Sequence, residues 1–233
     1  SVQQESVVYR LALILAERLH RTIAALLGAA VMLLTGMAMG FYSQEAALAA
    51  IDFNTLALLL GMMVLVRLLQ QTGFFQYAAI VVAKRAGGRP ILLLIALGTL
   101  TTVLSMFLDN VTTIVLIVPV TILIAEILGI NVVPLLMAEA LLSNTGGVAT
   151  LVGDPPNVII GSAAGFSFVS FLTHLGPIVL VAWLLALIVL WVVFRRELAE
   201  SPKDITALQQ LDENAGLTDR AGLTKLLIVL AAV

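Results

Sequence analysis

A polar run rich in glycine and proline interrupts an otherwise apolar chain between residues 143 and 157. It reads Ser-Asn-Thr-Gly-Gly-Val-Ala-Thr-Leu-Val-Gly-Asp-Pro-Pro-Asn and lies between the apolar stretches Val132–Leu142 and Val158–Ala164. Glycine loosens a helical backbone and proline removes a backbone donor, so one continuous helix cannot pass through this run intact. Within a membrane, a broken helix is tolerated only where the freed backbone groups face protein or a polar cavity. The run is therefore the predicted location of a ligand.

The composition predicts an all-α integral membrane protein. The chain is 61% hydrophobic and 11% charged, whereas soluble domains average roughly 45–50% apolar and 25% charged residues. The net charge of −2 comes without a basic face, so a nucleic-acid partner is excluded. The chain has no cysteine, which excludes disulfides and thiolate metal sites.

Several apolar runs have lengths that suit membrane helices, for which about 20 residues are needed. Thr22–Gly40 and Phe53–Gln70 are long enough to span, and Phe74–Ala83 is either an interfacial helix or a short span. Phe168–Phe194 is a long apolar helix, and the polar stretch that follows it, Arg195–Arg220, is predicted to be a solvated linker. The chain ends within a further apolar run, so we expect more membrane segments after it.

The basic residues predict the orientation. Clusters of Lys and Arg precede the first full span, follow Phe74–Ala83 and occupy the linker, whereas residues 41–52 carry acids and no bases. By the positive-inside rule, the basic clusters are cytoplasmic and the 41–52 loop is external. The chain then crosses an even number of times between Arg89 and Arg195. Residues 91–128 either enter the membrane and return as a hairpin with Asp109-Asn110 at its tip, or cross fully twice.

The core carries acids without local bases. From Pro90 to Phe194 there is no Lys or Arg, but there are four acids, which are Asp109, Glu126, Glu139 and Asp154. An ionised carboxylate in a bilayer costs several kcal/mol unless it is paired. These acids are therefore protonated, bind a cation, or have a partner elsewhere in the protein.

Each core charge has a structural and a functional interpretation. Glu126 is predicted to be solvated near a membrane surface. Glu139 lies one turn before Ser143 and either faces the same cavity or is a protonated carboxyl bonded to a neighbouring helix. Asp154 precedes Pro155, so it caps the second half-helix, binds an ion, or does both. Arg67 either snorkels to the cytoplasmic surface or balances the charge of a core acid.

Several motifs follow one another along the chain in this order: Ile51-Asp52-Phe53-Asn54-Thr55, Gly61-Met62-Met63, Thr72-Gly73-Phe74-Phe75, Ser105-Met106-Phe107-Leu108-Asp109-Asn110-Val111-Thr112-Thr113, Ser143-Asn144-Thr145-Gly146-Gly147 and Gly153-Asp154-Pro155-Pro156-Asn157. Together they resemble the ion transporter superfamily, in the branch of arsenite permeases (ArsB), NhaD-type sodium/proton antiporters and the P protein. The divalent anion/sodium symporters are more distantly similar.

The resemblance implies an inverted-repeat secondary transporter with a re-entrant hairpin and a discontinuous helix, which typically forms a homodimer and works by an elevator-like motion. The implied segments are a remnant of a first helix at 1–21, scaffold helices at 22–89, a helical hairpin at 90–128 with its break at 109–112, a discontinuous helix at 132–164, a transmembrane helix at 168–194, a cytoplasmic linker at 195–222 and the start of the second repeat at 223–233.

The same resemblance places the substrate where the hairpin tip meets the helix break. Half-helix ends expose donors on one side and acceptors on the other, carboxylates and carbonyls suit sodium, and N–H and hydroxyl groups suit an oxyacid. Gly146 and Gly147 allow a close approach of the backbone. The predicted substrate- and ion-binding residues are Asp109, Asn110, Thr112, Ser143, Asn144, Thr145, Gly146, Gly147, Thr150, Asp154 and Asn157, with Glu139 and Asp154 as candidates for proton coupling.

The function predicted from these residues is secondary active transport rather than enzymatic catalysis. Arsenite or antimonite efflux and sodium/proton antiport are both consistent with the resemblance, and an anion/sodium symporter-like carrier is the alternative. No cofactor is predicted apart from a bound sodium ion. The expected partners are a small inorganic ion or oxyacid, the lipid bilayer of the bacterial cytoplasmic membrane, a second copy in a homodimer and, for an arsenite pump, an ATPase subunit.

Two other functional classes are alternatives to a secondary transporter. An intramembrane aspartyl protease would use Asp109 and Asp154, and Leu151-Val152-Gly153-Asp154 approximates the Gly-x-Gly-Asp signature without its first glycine. The chain also offers no Tyr-Asp partner for that signature. A passive channel would conduct without saturable, gradient-driven flux.

Overall fold

The computed structural model describes residues 21–41, 43–49, 51, 53–199, 202, 205–217 and 219–232. The described part is helical, as the sequence predicted. The helices are α1 (Arg21–Ala38), α2 (Gln44–Ala49), α3 (Phe53–Gln71), α4 (Phe74–Arg85), α5 (Pro90–Ser105), α6 (Asn110–Leu128), α7 (Val133–Gly147), α8 (Pro155–Ala164), α9 (Phe168–Val193), a 3₁₀ turn (Glu197–Ala199), α10 (Ile205–Gln210) and α11 (Arg220–Ala232).

The chain divides into two compact units, residues 1–54 and 55–233. The described helices of the first unit are α1 and α2, together with the first residues of α3. The predicted helix remnant at 1–21 falls outside the described residues, apart from Arg21.

Helices α5, α6 and α7 form the centre of the second unit. Proline starts α5 and occupies the first turn of α7, where a missing backbone donor does no harm, and Gly129 ends α6 with a φ of 61°. The most extensive helix pairing among the described elements is between α5 and α7. Their contact buries Leu93, Leu97 and Leu142 completely.

Two described helices, α6 and α9, are long and apolar enough to cross a membrane. Helices α3 and α4 form a pair bent by 63°, which would be a third span if it is counted as one, whereas α1 and α5 are apolar but shorter. The choice between a re-entrant hairpin and two full crossings at 91–128 stays a prediction.

The first break is displaced from its predicted position, and the second break is shorter than the sequence predicted. The hairpin break lies at 106–109 rather than 109–112, because Asp109 caps α6 and the residues after it are already helical. The second break lies at 148–154, because α7 continues through Ser143–Gly147. A glycine costs a helix only about 1 kcal/mol relative to alanine, and tertiary packing overrides that preference here.

The sequence predicted a solvated linker after α9, but part of this linker is buried. Leu198 and Leu208 are buried in the main apolar core, because the 3₁₀ turn packs on α5 and α10 packs on α6. An ion pair of 3.2 Å joins Lys84 of α4 to Glu213, and the side chain of Gln209 donates to the Lys84 carbonyl. The linker therefore packs on α4, α5 and α6.

Candidate functional site

The first break, defined here as residues 106–109, is a tight turn between α5 and α6. Its last residue, Asp109, is the N-cap of α6, and its Oδ1 accepts a hydrogen bond of 2.9 Å from the Thr112 amide. The Asp109 carbonyl also accepts a bond of 3.0 Å from the Thr113 hydroxyl. One carboxylate oxygen of the half-buried Asp109 is thus used to start the helix.

The second break, defined here as residues 148–154, is held in shape by Asn157. Its side-chain amide donates to the carbonyls of Gly147 and Thr150, at 2.9 Å each. These two carbonyls lie at the end of α7 and within the break, where no helical partner would satisfy them. Asn157 therefore replaces helical hydrogen bonds that the break removes.

One hydrogen bond joins the two breaks directly, and a second joins the helices next to them. The Thr150 hydroxyl donates to the Met106 carbonyl, and the Asn110 side-chain amide donates to Oδ1 of Asn144. These partners are 44 and 34 residues apart in sequence. The predicted meeting of the hairpin tip with the helix break is confirmed for these residues.

Glycine allows the backbones at the two breaks to touch. A Cβ atom added to Gly153 would lie 2.6 Å from the Gly147 carbonyl oxygen and 2.7 Å from that of Ser105. A Cβ added to Gly146 would lie 2.2 Å from the Thr102 carbonyl oxygen, so the predicted close approach at Gly146 is an approach to α5. A larger residue at Gly153 would force the backbones at the two breaks apart, and one at Gly146 would separate α7 from α5.

A cavity of about 290 Å³ opens beside the first break. Its walls come from α3, from the first break with the start of α6, and from the second break with the start of α8. The lining residues are Leu59, Met62, Met63, Val66, Arg67, Gln70, Phe107, Leu108, Asp109, Thr112, Val152 and Pro155. Of the described lining residues, Arg67 and Asp109 are charged, so this mostly apolar cavity holds one fixed cation and one acid.

Asp154 occupies the N-cap position of α8 without using its side chain as a cap. Its backbone carbonyl accepts from the Asn157 amide at 3.0 Å, while Pro155 and Pro156 offer no N–H groups. The single ion pair among the described residues is that of the linker, so Asp154 has no basic partner there. Its half-buried carboxylate is available to a cation.

Glu139 is completely buried between α6 and α7. The Thr121 hydroxyl donates to its Oε1, and its Oε2 has no hydrogen-bond partner within the described part of the chain. It does not line the cavity. The geometry matches the predicted bond to a neighbouring helix and not the alternative of a side chain facing the cavity at the break.

The structure separates the predicted site residues into two groups. Asp109 and Thr112 line the cavity, and Asp154 lies between lining residues. The others act on the protein itself: Ser143, Thr145 and Thr150 donate their hydroxyls to backbone carbonyls, Asn110 and Asn144 pair with each other, Gly146 and Gly147 provide close packing, and Asn157 holds the second break.

Two residues near the site were not among the predicted binding residues. Arg67 lines the cavity, and its signal in the sequence was that of a lone cation in an apolar helix. Ser105 is completely buried at the end of α5, 3.7 Å from a Cβ position at Gly147, and its hydroxyl has no partner among the described residues. Ser105 begins the motif that ends at Thr113, but its hydroxyl was not predicted to be a binding group.

Comparisons with known proteins agree with this architecture. A family model described as citrate transporter matches residues 11–233. The chain is 45% identical over 225 residues to a 46 kDa membrane protein of Mycobacterium leprae, and 44% identical over 225 residues to an uncharacterized transporter of Mycobacterium tuberculosis. Each alignment covers 95% of this chain and 52% of the relative, so the chain spans about half the length of these curated relatives.

A third relative confirms the branch that the motifs predicted. The chain is 44% identical over 170 residues to the human P protein, an alignment that covers 70% of this chain and 20% of the P protein. The relatives and the family are described as transporters or membrane proteins, which leaves the aspartyl protease interpretation without support. With a family model that matches nearly its whole length, the chain belongs to the citrate transporter family of membrane transporters.

Proposed function

We propose that this chain provides one half of a secondary active transporter of the arsenite permease or sodium/proton antiporter type. The observation that carries the proposal is the junction of two helix breaks, each of which ends in an aspartate. Thr150 joins the breaks through the Met106 carbonyl, and a cavity extends from Asp109 to Pro155. The substrate is a small inorganic ion or oxyacid that moves against a gradient of sodium or protons.

The charges of the site favour a coupling cation. Asp154 has no basic partner among the described residues, and its side chain does not cap α8. Carboxylate and carbonyl oxygens are the ligands that hard cations prefer. Asp154 is therefore the proposed coupling acid, and Asp109 with Thr112 forms the wall of the adjoining substrate cavity. The described residues also leave Ser105 as a buried hydroxyl without a partner at the same junction.

The mechanism that this arrangement supports is alternating access with an elevator-like motion. Residues 90–164 contain the two connected breaks and would move together, because their backbones and side chains are joined at several points. Helix α3 lines the opposite wall of the cavity and would belong to the scaffold. A homodimer in the bacterial cytoplasmic membrane is part of the same proposal, as is an ATPase subunit if the substrate is arsenite.

Flux measurements in proteoliposomes test the proposal. Arsenite, sodium and the pH gradient are varied independently, and we expect saturable flux that depends on one ion gradient. Asp154→Asn should reduce the dependence of flux on that gradient by about 10-fold or more, because an amide cannot exchange a proton and binds sodium less well than a carboxylate does.

The matched control is Glu126→Gln. Glu126 is an exposed acid at the far end of α6 and does not line the cavity, so its loss should leave the coupling unchanged. Flux that is linear in substrate concentration and independent of both gradients would indicate a channel. Unchanged coupling in the Asp154→Asn protein would remove Asp154 from the proposed role.

A further inference from the structure

The wall of the cavity opposite the two breaks carries a permanent positive charge. Arg67 is on α3, and its Nη1 donates a hydrogen bond of 2.8 Å to Oε1 of Gln70, which lines the cavity as well. A guanidinium stays protonated under all physiological conditions. The Gln70 side chain therefore holds the Arg67 head group on the cavity wall without neutralising it.

Arg67 and Asp109 face the same cavity, but they do not form an ion pair. Their charged groups lie more than 4.0 Å apart, since the single described pair within that distance joins Lys84 and Glu213. The Asp109 carboxylate uses one oxygen to cap α6 and has no described basic group in contact. Arg67 and Asp109 are thus the two opposite charges among the described residues that line this cavity.

The remaining charged groups around Asp109 are few. Helix α5 has none, and the acids of α6 and α7 are Glu126 at the far end of α6 and the buried Glu139. On the second break, Asp154 lies in sequence between the lining residues Val152 and Pro155 and is not itself a lining residue. Among the described residues, Arg67 is therefore the one cation that lines the cavity, and Asp109 is the one acid.

We propose that Arg67 is the fixed counter-charge of Asp109, and that a monovalent cation, sodium or a proton, competes with it to bind at Asp109. This inference rests on the proposed function, because it adds a cation site at Asp109, on the wall of the substrate cavity, to the coupling acid Asp154. In the empty cavity Arg67 compensates the carboxylate. Cation binding neutralises Asp109 and leaves the charge of Arg67 free to attract an anionic or polar substrate to the same cavity.

The competition between Arg67 and a bound cation is electrostatic. At an effective dielectric constant of about 20, a unit charge several ångströms from a carboxylate changes its affinity for a cation by about 3- to 30-fold. The direction of this change is fixed, because the positive charge of Arg67 disfavours the binding of a second cation at Asp109. Arg67 thus keeps the cation affinity of Asp109 low enough for release.

The test measures cation binding on the purified protein, apart from transport. Thermal stability in detergent is titrated with sodium at constant pH, and with pH at constant low sodium, so that the two arms distinguish sodium from protons. In Arg67→Gln we expect either the half-saturating sodium concentration to fall by about 3- to 30-fold or the half-effect proton concentration to fall by the same factor. Arg67→Lys, which keeps the charge, should stay close to the original protein.

Three controls make the result specific. Arg85→Gln removes an exposed arginine at the end of α4 that does not line the cavity, and it should shift neither titration. Arg67→Met retains the length and apolar contacts of the side chain and guards against a local packing defect in the glutamine variant. In an Asp109→Asn background, loss of Arg67 should have no further effect on either titration.

Unshifted titrations in Arg67→Gln and Arg67→Met would overturn the inference, as would an equal shift in the Asp109→Asn background. It would also be overturned if Asp109→Asn responded to sodium and pH as the original protein does. These outcomes are distinct from a failure of the proposed function. Flux without a shift in cation binding would reject only the role of Arg67, whereas a shift without gradient-driven flux would reject only the transport proposal.

Discussion

The two helix breaks end in the same residue but use it differently. Asp109 ends the first break and caps α6 through the Thr112 amide, whereas Asp154 ends the second break and its side chain makes no capping bond. The reason lies in the residues that follow. The Thr112 amide donates to the Asp109 side chain, whereas the equivalent amide, that of Asn157, donates to the Asp154 carbonyl, and Pro155 and Pro156 offer no other donor.

The two aspartates therefore have different roles. Part of the negative charge of Asp109 is committed to the fold, while the Asp154 carboxylate has no described structural task. A pair of prolines at the start of a half-helix therefore does more than begin the helix. It leaves the capping carboxylate free for a ligand, at the end of a helix whose dipole favours a negative charge there.

The largest expected effect comes from separating the two breaks. In Gly153→Ala, the added methyl group would overlap the carbonyl oxygens of Gly147 and Ser105, so the junction cannot form without a backbone shift. We expect a loss of about 3 kcal/mol or more in stability, seen as a lower melting temperature in detergent or as failure to accumulate.

Gly61→Ala is the matched control, because a methyl group at Gly61 would meet nothing within 4 Å and Gly61 lies within α3. A Gly153→Ala protein as stable as Gly61→Ala would show that the two breaks do not depend on each other.

A smaller effect is expected from Asn157→Asp, which keeps the shape of the side chain and removes both donors that hold the second break. The carbonyls of Gly147 and Thr150 would lose their partner and face a carboxylate. We expect a loss of about 2 kcal/mol by chemical or thermal denaturation.

The control for this change is Asn131→Asp. Asn131 uses its side-chain oxygen to accept from the Val133 amide at 3.0 Å, and an aspartate retains that oxygen. If both asparagine variants lost the same stability, the hydrogen bonds from Asn157 would not be a stabilising feature that is specific to the second break.

The smallest effects test the comparison of the two aspartates directly. Asp109→Ala removes a helix cap and should cost about 1 kcal/mol, whereas Asp154→Ala removes no capping bond and should cost less than about 0.5 kcal/mol. Melting temperatures of the two proteins, measured side by side in sodium-free buffer, test this predicted difference in stability. An equal or larger loss for Asp154→Ala would mean that its carboxylate has a structural role after all.

Much of this fold follows from local sequence patterns. Phe168–Phe194 was predicted as one long helix and is observed as α9, and the positions of both breaks were predicted to within a few residues. The errors are at the break boundaries. Ser143–Gly147 is helical because Gly146 packs against the backbone of α5, and no pattern within the run itself reveals a helix 40 residues away.

The site was less predictable than the fold. The eleven predicted binding residues are nine polar side chains and two glycines near the breaks, but Thr150 and Asn157 use their polar groups within the protein. A sequence shows that a donor is present and does not show what it donates to. Arg67 was considered for charge balance, but only the packing of α3 places it on the cavity wall with Asp109.

The sequence by itself determined the class of protein, the two breaks and the excess of acids in the core. These depend on hydropathy, on the backbone chemistry of glycine and proline, and on charge, which are properties of local composition. Only the tertiary structure decided which aspartate is free and which charges share a cavity. Hydrogen bonds and cavities depend on partners 34 to 44 residues apart, such as Asn110 with Asn144 and Thr150 with Met106, and contacts over that separation are fixed by packing alone.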